Sequence, residues 1–277
     1  MSSLTVIILT KNEEKNIEQS IKSAKQITNN IIVVDSGSVD KTIDLAKKNG
    51  AKIYFHEWTT HAQQFNWALE NCNINTEWVF RLDADERIMP DLADEILEKI
   101  NNNDKTIDGY EMRWRVYFMN KWIKHGGTHN SYFLRLFRYG TGKAEDKIMD
   151  ERIFVKGKVE KLKGDLLHYD YKGLDSWLIK HIWYSQLELK LYNNDYLNNE
   201  NTVIKNNSQH KKRGFYYKLP IFIRSKIYFL FRYYFKLGFL DGKEGKIFFY
   251  FQAYWYRFLV DVRIYEEIIE NKEKKGN

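Results

Sequence analysis

The sequence is poor in cysteine, in long apolar runs and in targeting signals. Among 277 residues there is one cysteine, Cys72, so an intrachain disulfide is excluded and an oxidising compartment is not implied. No apolar run reaches the roughly 18 uninterrupted residues that a membrane-spanning helix needs. Residues 1–14 have neither the basic start nor the long apolar middle of a signal peptide. We therefore expect the protein on the cytoplasmic side of a membrane.

The first part of the chain alternates between strand-like and helix-like segments. Residues 16–26 and 40–48 place apolar side chains at helical spacing. Short, partly β-branched apolar runs lie before, between and after them, at 4–9, 31–34, 53–55 and 78–82. Strands that alternate with helices predict a parallel α/β sheet.

A dense group of carboxylates follows the fourth apolar run directly. Asp83 and Asp85 are two residues apart, so in an extended chain their side chains point the same way and can converge on one cation. Mg²⁺ or Mn²⁺ prefers such oxygen ligands, with substrate phosphates completing its shell. The spacing equally fits an acidic turn before a helix that starts at Pro90. A metal site and a solvated turn are therefore both open.

Two further polar turns end the first and second apolar runs. Thr10, Asn12 and Glu13 follow the first run, and Asp35 with a Ser-Gly-Ser sequence follows the second. In open α/β sheets a ligand binds beyond the carboxyl ends of the strands. Three polar turns therefore share the edge at which a ligand is expected.

The three turns together resemble the inverting family 2 glycosyltransferases of the GT-A fold. The resembling pieces are TKNE at 10–13, VDSGSVD at 34–40 and LDADE at 82–86, in this order. The resemblance implies an α/β fold of GT-A type, with a mixed sheet that binds a nucleotide-sugar and helices beside it. It also implies a UDP-sugar donor and a divalent cofactor, Mn²⁺ or Mg²⁺.

The resemblance also assigns roles at the donor. Glu13 and Asp35 would accept hydrogen bonds from the ribose and the uracil imide, because a carboxylate only accepts and both partners donate. Asp83 would lie near the ribose and diphosphate. Asp85 would bind the metal, together with Asp83. The rest of the nucleotide-sugar site would be made of Thr10, Asn12, Arg135, Gln63 and Asn66. For the last two, a plain polar helix face is the alternative.

The stretch 109–171 resembles the acceptor half of the lipopolysaccharide core glucosyltransferase branch of family 2. Its recurring pieces are a Gly-Gly turn at 126–127, LRLFR at 134–138, an acidic pair at 150–151 and KGDLLHY at 163–169. The branch resemblance implies an acceptor that is a lipid-linked glycan, such as the lipopolysaccharide core.

An inverting transfer is a single in-line displacement, so it needs a carboxylate that takes the proton of the acceptor hydroxyl. Glu151 or its neighbour Asp150 is the expected base. We favour Glu151, because in related enzymes the second residue of the acidic pair usually does this work. An exposed ion-pair turn at 150–152 is the structural alternative.

Two basic groups are candidates for the leaving group. His168 ends a strand-like run and would bind the metal or the diphosphate, although a hydrogen-bonded core histidine is the alternative. Arg135 and Arg138 are an odd number of residues apart, so they should leave a strand on opposite faces. At most one of the two arginines then reaches the diphosphate, unless the strand bulges.

The basic charge is concentrated near the C-terminus. The formal net charge is +7, and the whole excess falls in the aromatic-rich segment 211–263. Apolar residues recur there at helical spacing: Ile223, Ile227, Leu230, Phe231, Tyr234 and Leu237. The stretch 246–264 is a second helix-like segment rich in aromatic residues. Such helices lie in a bilayer interface over anionic lipid, or else pack on the catalytic domain.

Two other classes of protein fit the sequence less well. Interleaved basic and aromatic residues could bind single-stranded nucleic acid, but the acidic sheet edge would repel it. A sugar-phosphate nucleotidyltransferase would need a Gly-rich basic turn after the first strand, whereas TKNEE has no glycine. We therefore expect no nucleic-acid partner.

The sequence thus predicts a GT-A catalytic domain over 1–195, an Asn-rich linker over 196–212 and basic aromatic amphipathic helices over 213–270. The expected activity is the inverting transfer of a hexose, with glucose from UDP-glucose favoured, onto a lipid-linked acceptor at an anionic membrane surface. Another envelope polysaccharide and another UDP-sugar are the alternatives. The enzyme is expected as a peripheral protein on the cytoplasmic face of a bacterial inner membrane.

Overall fold

The computed structural model describes residues 3–147, 149, 151–194 and 214–276. The chain folds into two compact units. The first unit comprises residues 1–122 and 128–172, and the second comprises 123–127 and 173–277.

A mixed β-sheet organises the first unit. Its strands are β1 (Leu4–Thr10), β2 (Ile31–Asp35), β3 (Lys52–Phe55), β4 (Trp78–Asp83), β5 (Glu86–Ile88), β6 (Ile107–Phe118), β7 (Lys121–Trp122), β8 (Tyr132–Arg138) and β11 (Lys158–His168). They lie in the order β3-β2-β1-β4-β8-β6-β11-β5, with β7 on β6. β9 (Gly142–Ala144) and β10 (Ile153–Val155) form a separate antiparallel pair.

The first four strands are parallel, as the sequence predicts. β1 lies between β2 and β4, and β3 lies beyond β2. The polar turns that follow β1, β2 and β4 therefore share one edge of the sheet. The order of the predicted elements is confirmed, and strand ends differ from the predicted ones by one residue or so.

The other half of the sheet reverses direction. β8 is antiparallel to both β4 and β6, β11 is parallel to β6, and β5 is antiparallel to β11. β4 lies near the middle of the sheet, whereas β5 lies at its far edge. The turn between them, residues 83–86, is named the carboxylate turn below. It carries the chain across the sheet to the end of β11, where Glu86 pairs with His168.

Helices cover both faces of this sheet. α1 (Ile17–Ala24), α2 (Thr42–Lys48) and α4 (Pro90–Asn102) contribute to one apolar core, and α3 (His61–Asn71) contributes to the other. β1 contributes side chains to both cores, because its alternate side chains point to opposite faces. All of its residues are buried. A strand covered on both sides explains why this run is continuously apolar.

Polar side chains lie at the starts of the first two helices. The cap position of α1 is Asn16, and Asn12, in the turn before it, has a positive φ of 54°. The Asn12 side chain accepts a hydrogen bond from the Val39 amide at 2.9 Å, which ties the first polar turn to the second. Near the start of α2, the Asp40 carboxylate accepts from the Thr42 amide at 3.0 Å.

The second unit is helical. Its main elements are α5 (Leu174–Tyr192), α6 (Ile223–Leu230), α7 (Gly242–Phe249) and α8 (Tyr256–Gly276). π-helical turns, Phe231–Phe235 and Tyr250–Trp255, follow α6 and α7. The unit includes α5, which the sequence prediction counts with the catalytic domain. The predicted linker, 196–212, lies outside the described residues.

Buried ion pairs hold the second unit together. The Arg224 guanidinium donates to Asp261 at 2.6 Å, and both side chains are buried. Glu188 accepts hydrogen bonds from Tyr217, Tyr256 and Arg257. The arginines of α6 and α8 therefore face the interior of the unit, where their charges are paired.

The Gly-Gly turn also belongs to the second unit. Arg232 donates to the carbonyl oxygen of Gly126 at 2.7 Å. A Cβ atom at Gly126, whose φ is 66°, would lie 2.0 Å from the ring of Phe249. Only glycine fits a left-handed backbone so close to an aromatic ring.

Within the ranges that the structure describes, no helix combines the length and the apolarity that a bilayer crossing requires.

Candidate active site

Arg135 holds the carboxylate turn in place. It donates from Nη2 to Asp83 at 3.0 Å and to Glu86 at 2.6 Å. Glu86 also accepts a hydrogen bond from the Asp83 amide at 2.9 Å, and its side chain is fully buried. The turn is therefore closed by a guanidinium from β8 and is not a solvated acidic loop.

The pKa values of Asp83 and Glu86 are shifted in opposite directions. Burial opposes the ionisation of Asp83, but the positive charges of Arg135 and Arg81 hold the pKa of Asp83 far below its usual range. Burial raises the pKa of Glu86 against the charge of Arg135, and the Asp83 carboxylate adds to this rise. The two acids thus share one main cation, Arg135, whose charge favours the ionised form of each against the effect of burial.

Arg81 connects the carboxylate turn with the acidic pair predicted from sequence. Its Nε lies 3.3 Å from Asp83, and its Nη2 donates to Glu151 at 2.7 Å. The guanidinium is buried over the ring of Phe65 in α3, 5.4 Å from the ring centroid. Glu151, with a side chain only 11% exposed, is therefore not in a solvated turn. Asp150, the other candidate base, lies outside the described residues.

Asp85 and His168 face each other at the end of β11. The distance from His168 Nδ1 to Asp85 Oδ1 is 3.6 Å. The His168 ring stacks on Trp114 with centroids 5.4 Å apart, and Arg135 lies over the same indole. His168 Nδ1 is buried without a hydrogen-bond partner. A carboxylate beside an unsatisfied imidazole nitrogen fits a divalent cation.

Asp83 has a different environment from Asp85. Both of its oxygens face arginines, Oδ1 towards Arg81 and Oδ2 towards Arg135. Among the described residues, no group of three or more His, Cys, Asp or Glu side chains is arranged to hold a metal ion by itself. Mg²⁺ and Mn²⁺ sites often use only one or two protein carboxylates together with substrate phosphates. Asp85 and His168 are the two residues that fit this role.

Glu13 lies in a polar cluster after β1. It accepts a hydrogen bond from Lys172 at 2.5 Å and one from Asn16 at 2.7 Å. Burial raises its pKa above the ordinary value, opposed by the charge of Lys172 and reinforced by that of Asp85. The last contribution shows that the first polar turn and the carboxylate turn are electrostatically coupled.

Asp35 builds the second polar turn. Its Oδ2 accepts the amides of Gly37 and Ser38, each at 2.8 Å, and its Oδ1 accepts the Ser38 hydroxyl at 2.5 Å. Thr10 pairs with Asp35 across β1 and β2, and its buried hydroxyl has no hydrogen-bond partner. The two residues are thus adjacent at the predicted nucleotide edge.

The amides of α3 are used in distinct ways. Asn66 donates to the carbonyl of Ala144 at 2.9 Å and accepts its amide at 2.8 Å, which fixes β9 against α3. Gln63 donates to Asp146 at 3.3 Å. Both line a cavity of about 710 Å³. The amide that reaches the second polar turn is Gln64, which donates to Ser36 at 2.5 Å.

Residues 5–162, more than half of the chain, match the family model described as Glycosyl transferase family 2. The chain belongs to this family. The matched range contains all three polar turns, Arg135 and Glu151.

Two relatives illustrate the family membership. This glycosyltransferase is 27% identical to the lipopolysaccharide core biosynthesis glycosyltransferase LpsC of Rhizobium meliloti, over 95% of this chain and 92% of LpsC. It is 29% identical to an uncharacterized glycosyltransferase of Rickettsia typhi, over 69% of this chain and 68% of that protein.

Among solved structures, glucosyl-3-phosphoglycerate synthase from Mycobacterium tuberculosis, in complex with Mn²⁺, UDP and glucosyl-3-phosphoglycerate, is similar. It aligns with a TM-score of 0.34 and 20% identity, over 41% of this chain and 44% of that chain. The glycosyltransferase therefore spans less than half of that protein.

Several residues of the site were given no role from the sequence. Glu86 lies inside the predicted motif at 82–86 and Arg81 directly precedes it, whereas Trp114 and Lys172 lie far from it. Period-2 alternation places Arg81 on the same side of β4 as Asp83, which is a usable signal. Nothing local marks Trp114, because its position under His168 depends on the pairing of β6 with β11.

Proposed function

We propose that this family 2 glycosyltransferase transfers a hexose, with inversion, from a UDP-sugar to a lipid-linked glycan such as the lipopolysaccharide core. Glucose is the preferred sugar. The observation that carries the proposal is the bridge of Arg81, which holds Glu151 beside the carboxylate turn. A base and a donor-binding motif are then neighbours, as a single displacement requires.

The donor would lie along the edge formed by the three polar turns. Glu13 and Asp35 would accept from the ribose and the uracil, and the unpaired hydroxyl of Thr10 is available to the nucleotide. Asp85 and His168 would hold Mn²⁺ or Mg²⁺, which when bound neutralises the diphosphate of the departing UDP. Asp83, neutralised by two arginines, would orient the sugar nucleotide rather than bind the metal directly.

Glu151 would act as the base of the transfer. As the acceptor oxygen forms its bond to C1 of the sugar, the C1–O bond to UDP breaks and the hydroxyl proton passes to Glu151. Oε1 faces Arg81, so we assign Oε2 as the proton acceptor. Arg81 is a positioning residue, because it sets the direction of Glu151 through a buried ion pair.

The acceptor class is supported by the similarity to LpsC, whose name places it in lipopolysaccharide core biosynthesis. Another envelope polysaccharide with another UDP-sugar is the alternative acceptor and donor.

We also propose that the second unit binds an anionic bilayer, which would present such an acceptor. Its large apolar side chains are exposed around α6, with Phe235 at 80% and Tyr234 and Ile223 at 55%. The full set is Ile223, Ile227, Leu230, Phe231, Tyr234, Phe235, Leu237, Phe239 and Leu240, named here the aromatic surface. It includes every residue of the helical face predicted from sequence. So many exposed large apolar side chains within residues 223–240 are typical of an interaction site.

The charges beside the aromatic surface favour lipid as its partner. Arg224 and Arg232 are buried in the unit, whereas Lys226, Lys236 and Lys246 are exposed. Exposed lysines next to apolar side chains suit a membrane surface that carries anionic headgroups. The buried arginines are occupied by protein partners and leave the lysines to meet the lipid.

A donor screen tests the activity. Release of UDP would be measured with UDP-glucose, UDP-galactose and their N-acetyl forms, with and without Mn²⁺, on membranes that contain lipid-linked glycan. We expect metal-dependent release with one donor, and UDP-glucose is the first choice. Equal release with EDTA, or none with any UDP-sugar, would refute the proposal.

A further inference from the structure

We infer that the first unit carries a subsite for an anionic group, phosphate or carboxylate, on the acceptor glycan. The subsite is formed by Arg113, Arg115, His129 and Asp165, named here the arginine cluster. The inference rests on the proposed transfer to a glycan acceptor. It adds the chemical class of that acceptor, a sugar that bears a negative charge.

The arginine cluster is built around one buried carboxylate. Asp165 lies 3.2 Å from Arg113 Nε, 3.1 Å from Arg115 Nη2 and 3.5 Å from His129 Nε2. Its side chain is only 5% exposed. One acid thus orients two guanidinium groups from β6 and an imidazole from the segment before β8.

The cluster has more positive charge than its own carboxylate can neutralise. Arg113 and Arg115 together carry one positive charge more than Asp165 neutralises. Lys161, whose Nζ lies 4.5 Å from the ring centroid of Tyr132, adds a further positive charge. Arg113 is 30% exposed and Arg115 is 24% exposed. A purely structural ion pair needs one partner for each charge, whereas this surplus is open to an anion from solution.

Aromatic rings border the same basic groups. Arg115 lies over Trp122, 4.6 Å from the ring centroid, and Arg113 lies over Tyr132 at 5.5 Å. His129 meets Trp122 edge-on at 5.2 Å. Stacking and ion pairing fix the planes of both guanidinium groups, and a fixed fork is the geometry that binds phosphate or carboxylate through two hydrogen bonds.

The cluster lies on the same face of the sheet as the proposed base. Glu151 binds Arg81, which packs on Phe65 of α3. On β6, Glu111 pairs with Leu134, and Leu134 packs against the apolar core that contains Phe65. Alternate residues of a strand share a face, so the two arginines of the cluster lie on this α3 side with Glu111.

Trp114 joins the cluster to the donor side. Its carbonyl oxygen bonds His129 at 2.9 Å, and its ring stacks on His168. Asp165 precedes His168 by three residues on β11, which is about 10 Å along a strand, and the two side chains leave β11 on opposite faces. The arginine cluster therefore lies on the face of Glu151, whereas His168 marks the end of β11 at which the donor is proposed. An anionic group held by Arg113 and Arg115 would orient the acceptor from that face relative to Glu151.

The test uses the full-length protein saturated with UDP and Mn²⁺, so that anions cannot enter the donor site. Calorimetric titration would compare glucose 6-phosphate, glucuronate and uncharged glucose. We expect binding of at least one charged sugar and none of glucose, and the two charged probes show which anion is preferred. Because UDP binding is measured first, its failure would refute the proposed function separately from the subsite.

Arg115→Gln should weaken binding of the charged sugar about tenfold, the loss of one charge-assisted hydrogen bond. Arg113 and His129 still face Asp165 in that variant, so its fold should survive. Arg115→Lys keeps the charge and should lose less. The matched control is Lys158→Gln, which removes an exposed cation of the neighbouring strand β11.

The thermal midpoint of each variant checks its folding. Equal affinity of the wild type, Arg115→Gln and Arg115→Lys for the charged sugars would overturn the subsite. So would binding of glucose 6-phosphate that is lost equally in Lys158→Gln, because the effect would then be general surface charge.

Discussion

Arg81 and Glu151 are 70 residues apart in the sequence, yet their side chains meet at 2.7 Å in a buried ion pair. Arg81 reaches Asp83 from the same guanidinium. Through this one side chain Glu151 is fixed next to the carboxylate turn. If Glu151 is the proposed base, this ion pair would hold it in place before any substrate arrives.

The first prediction concerns Glu151. Glu151→Gln should lower kcat by about 10²- to 10⁴-fold, because the variant cannot take the acceptor proton. Donor affinity should stay within about threefold, since the amide still accepts from Arg81. The measurement is steady-state UDP release combined with calorimetric UDP binding. Glu160→Gln on β11 is the matched control. If Asp150→Asn is the damaging change instead, the base assignment moves to Asp150.

The second prediction concerns the metal. Asp85→Asn and His168→Ala should each weaken Mn²⁺ binding in the presence of UDP by on the order of tenfold or more, because each removes a proposed ligand. Electron paramagnetic resonance of Mn²⁺ measures the free ion directly. Asp91→Asn, an exposed change at the start of α4, is the control. Unaltered Mn²⁺ affinity in both site variants would remove the metal assignment.

The third prediction concerns the ion pair inside the carboxylate turn. Arg135→Met leaves Glu86 buried without its cation and should lower the free energy of unfolding by about 3–5 kcal/mol. The double variant with Glu86→Gln should recover part of this loss. Lys105→Met removes a surface partner of Glu77 and should cost about 1 kcal/mol or less. Urea denaturation checks all three, and similar losses for Lys105→Met and Arg135→Met would contradict the account.

The fourth prediction concerns the pH dependence of stability in the second unit. Burial lowers the pKa of His181 to about 4, while its hydrogen bond to the Trp177 carbonyl opposes the shift. Because the folded-state pKa lies below that of the unfolded chain, the contribution to stability is complete above about pH 6.5 and is lost as the pH falls towards 4. His181→Phe keeps the stack on Trp177 and should reduce the dependence of the thermal midpoint on pH over this range. If the midpoint of the variant depends on pH as steeply as that of the wild type, other groups cause the pH dependence.

The fifth prediction concerns the aromatic surface. The double change Phe231→Asp and Phe235→Asp should reduce sedimentation with vesicles of phosphatidylglycerol and phosphatidylethanolamine by more than about tenfold, because each exposed ring loses its transfer into lipid. Phe154→Asp, an exposed phenylalanine of β10, is the matched control. Wild-type sedimentation that is unaffected by the double change would refute lipid binding. Dimers that the double change dissociates would assign the surface to a second copy of the chain.

Local sequence was enough for the parallel half of the sheet. β1, β2 and β4 are short β-branched runs between amphipathic helices, and the polar residues that follow them share an edge because parallel strands end together. The opposite directions predicted for Arg135 and Arg138 assume regular alternation along the strand, whereas β8 has a bulge at Arg135, where Tyr110 pairs with Leu136 and Glu111 with Leu134. Arg135 binds the carboxylate turn, and Arg138 donates to the Ile107 carbonyl at 2.8 Å. Regular alternation can be read from local sequence, but a bulge that interrupts it depends on the neighbouring strand.

The tertiary structure decided which of these side chains act together. Nothing near Trp114 or Arg81 in the sequence indicates that one supports His168 and the other holds Glu151. Both contacts depend on long-range strand order, in which β8, β6 and β11 are inserted between β4 and β5. Pairing over such separations is fixed by the packing of the whole sheet, because no local propensity records which distant strand becomes a neighbour.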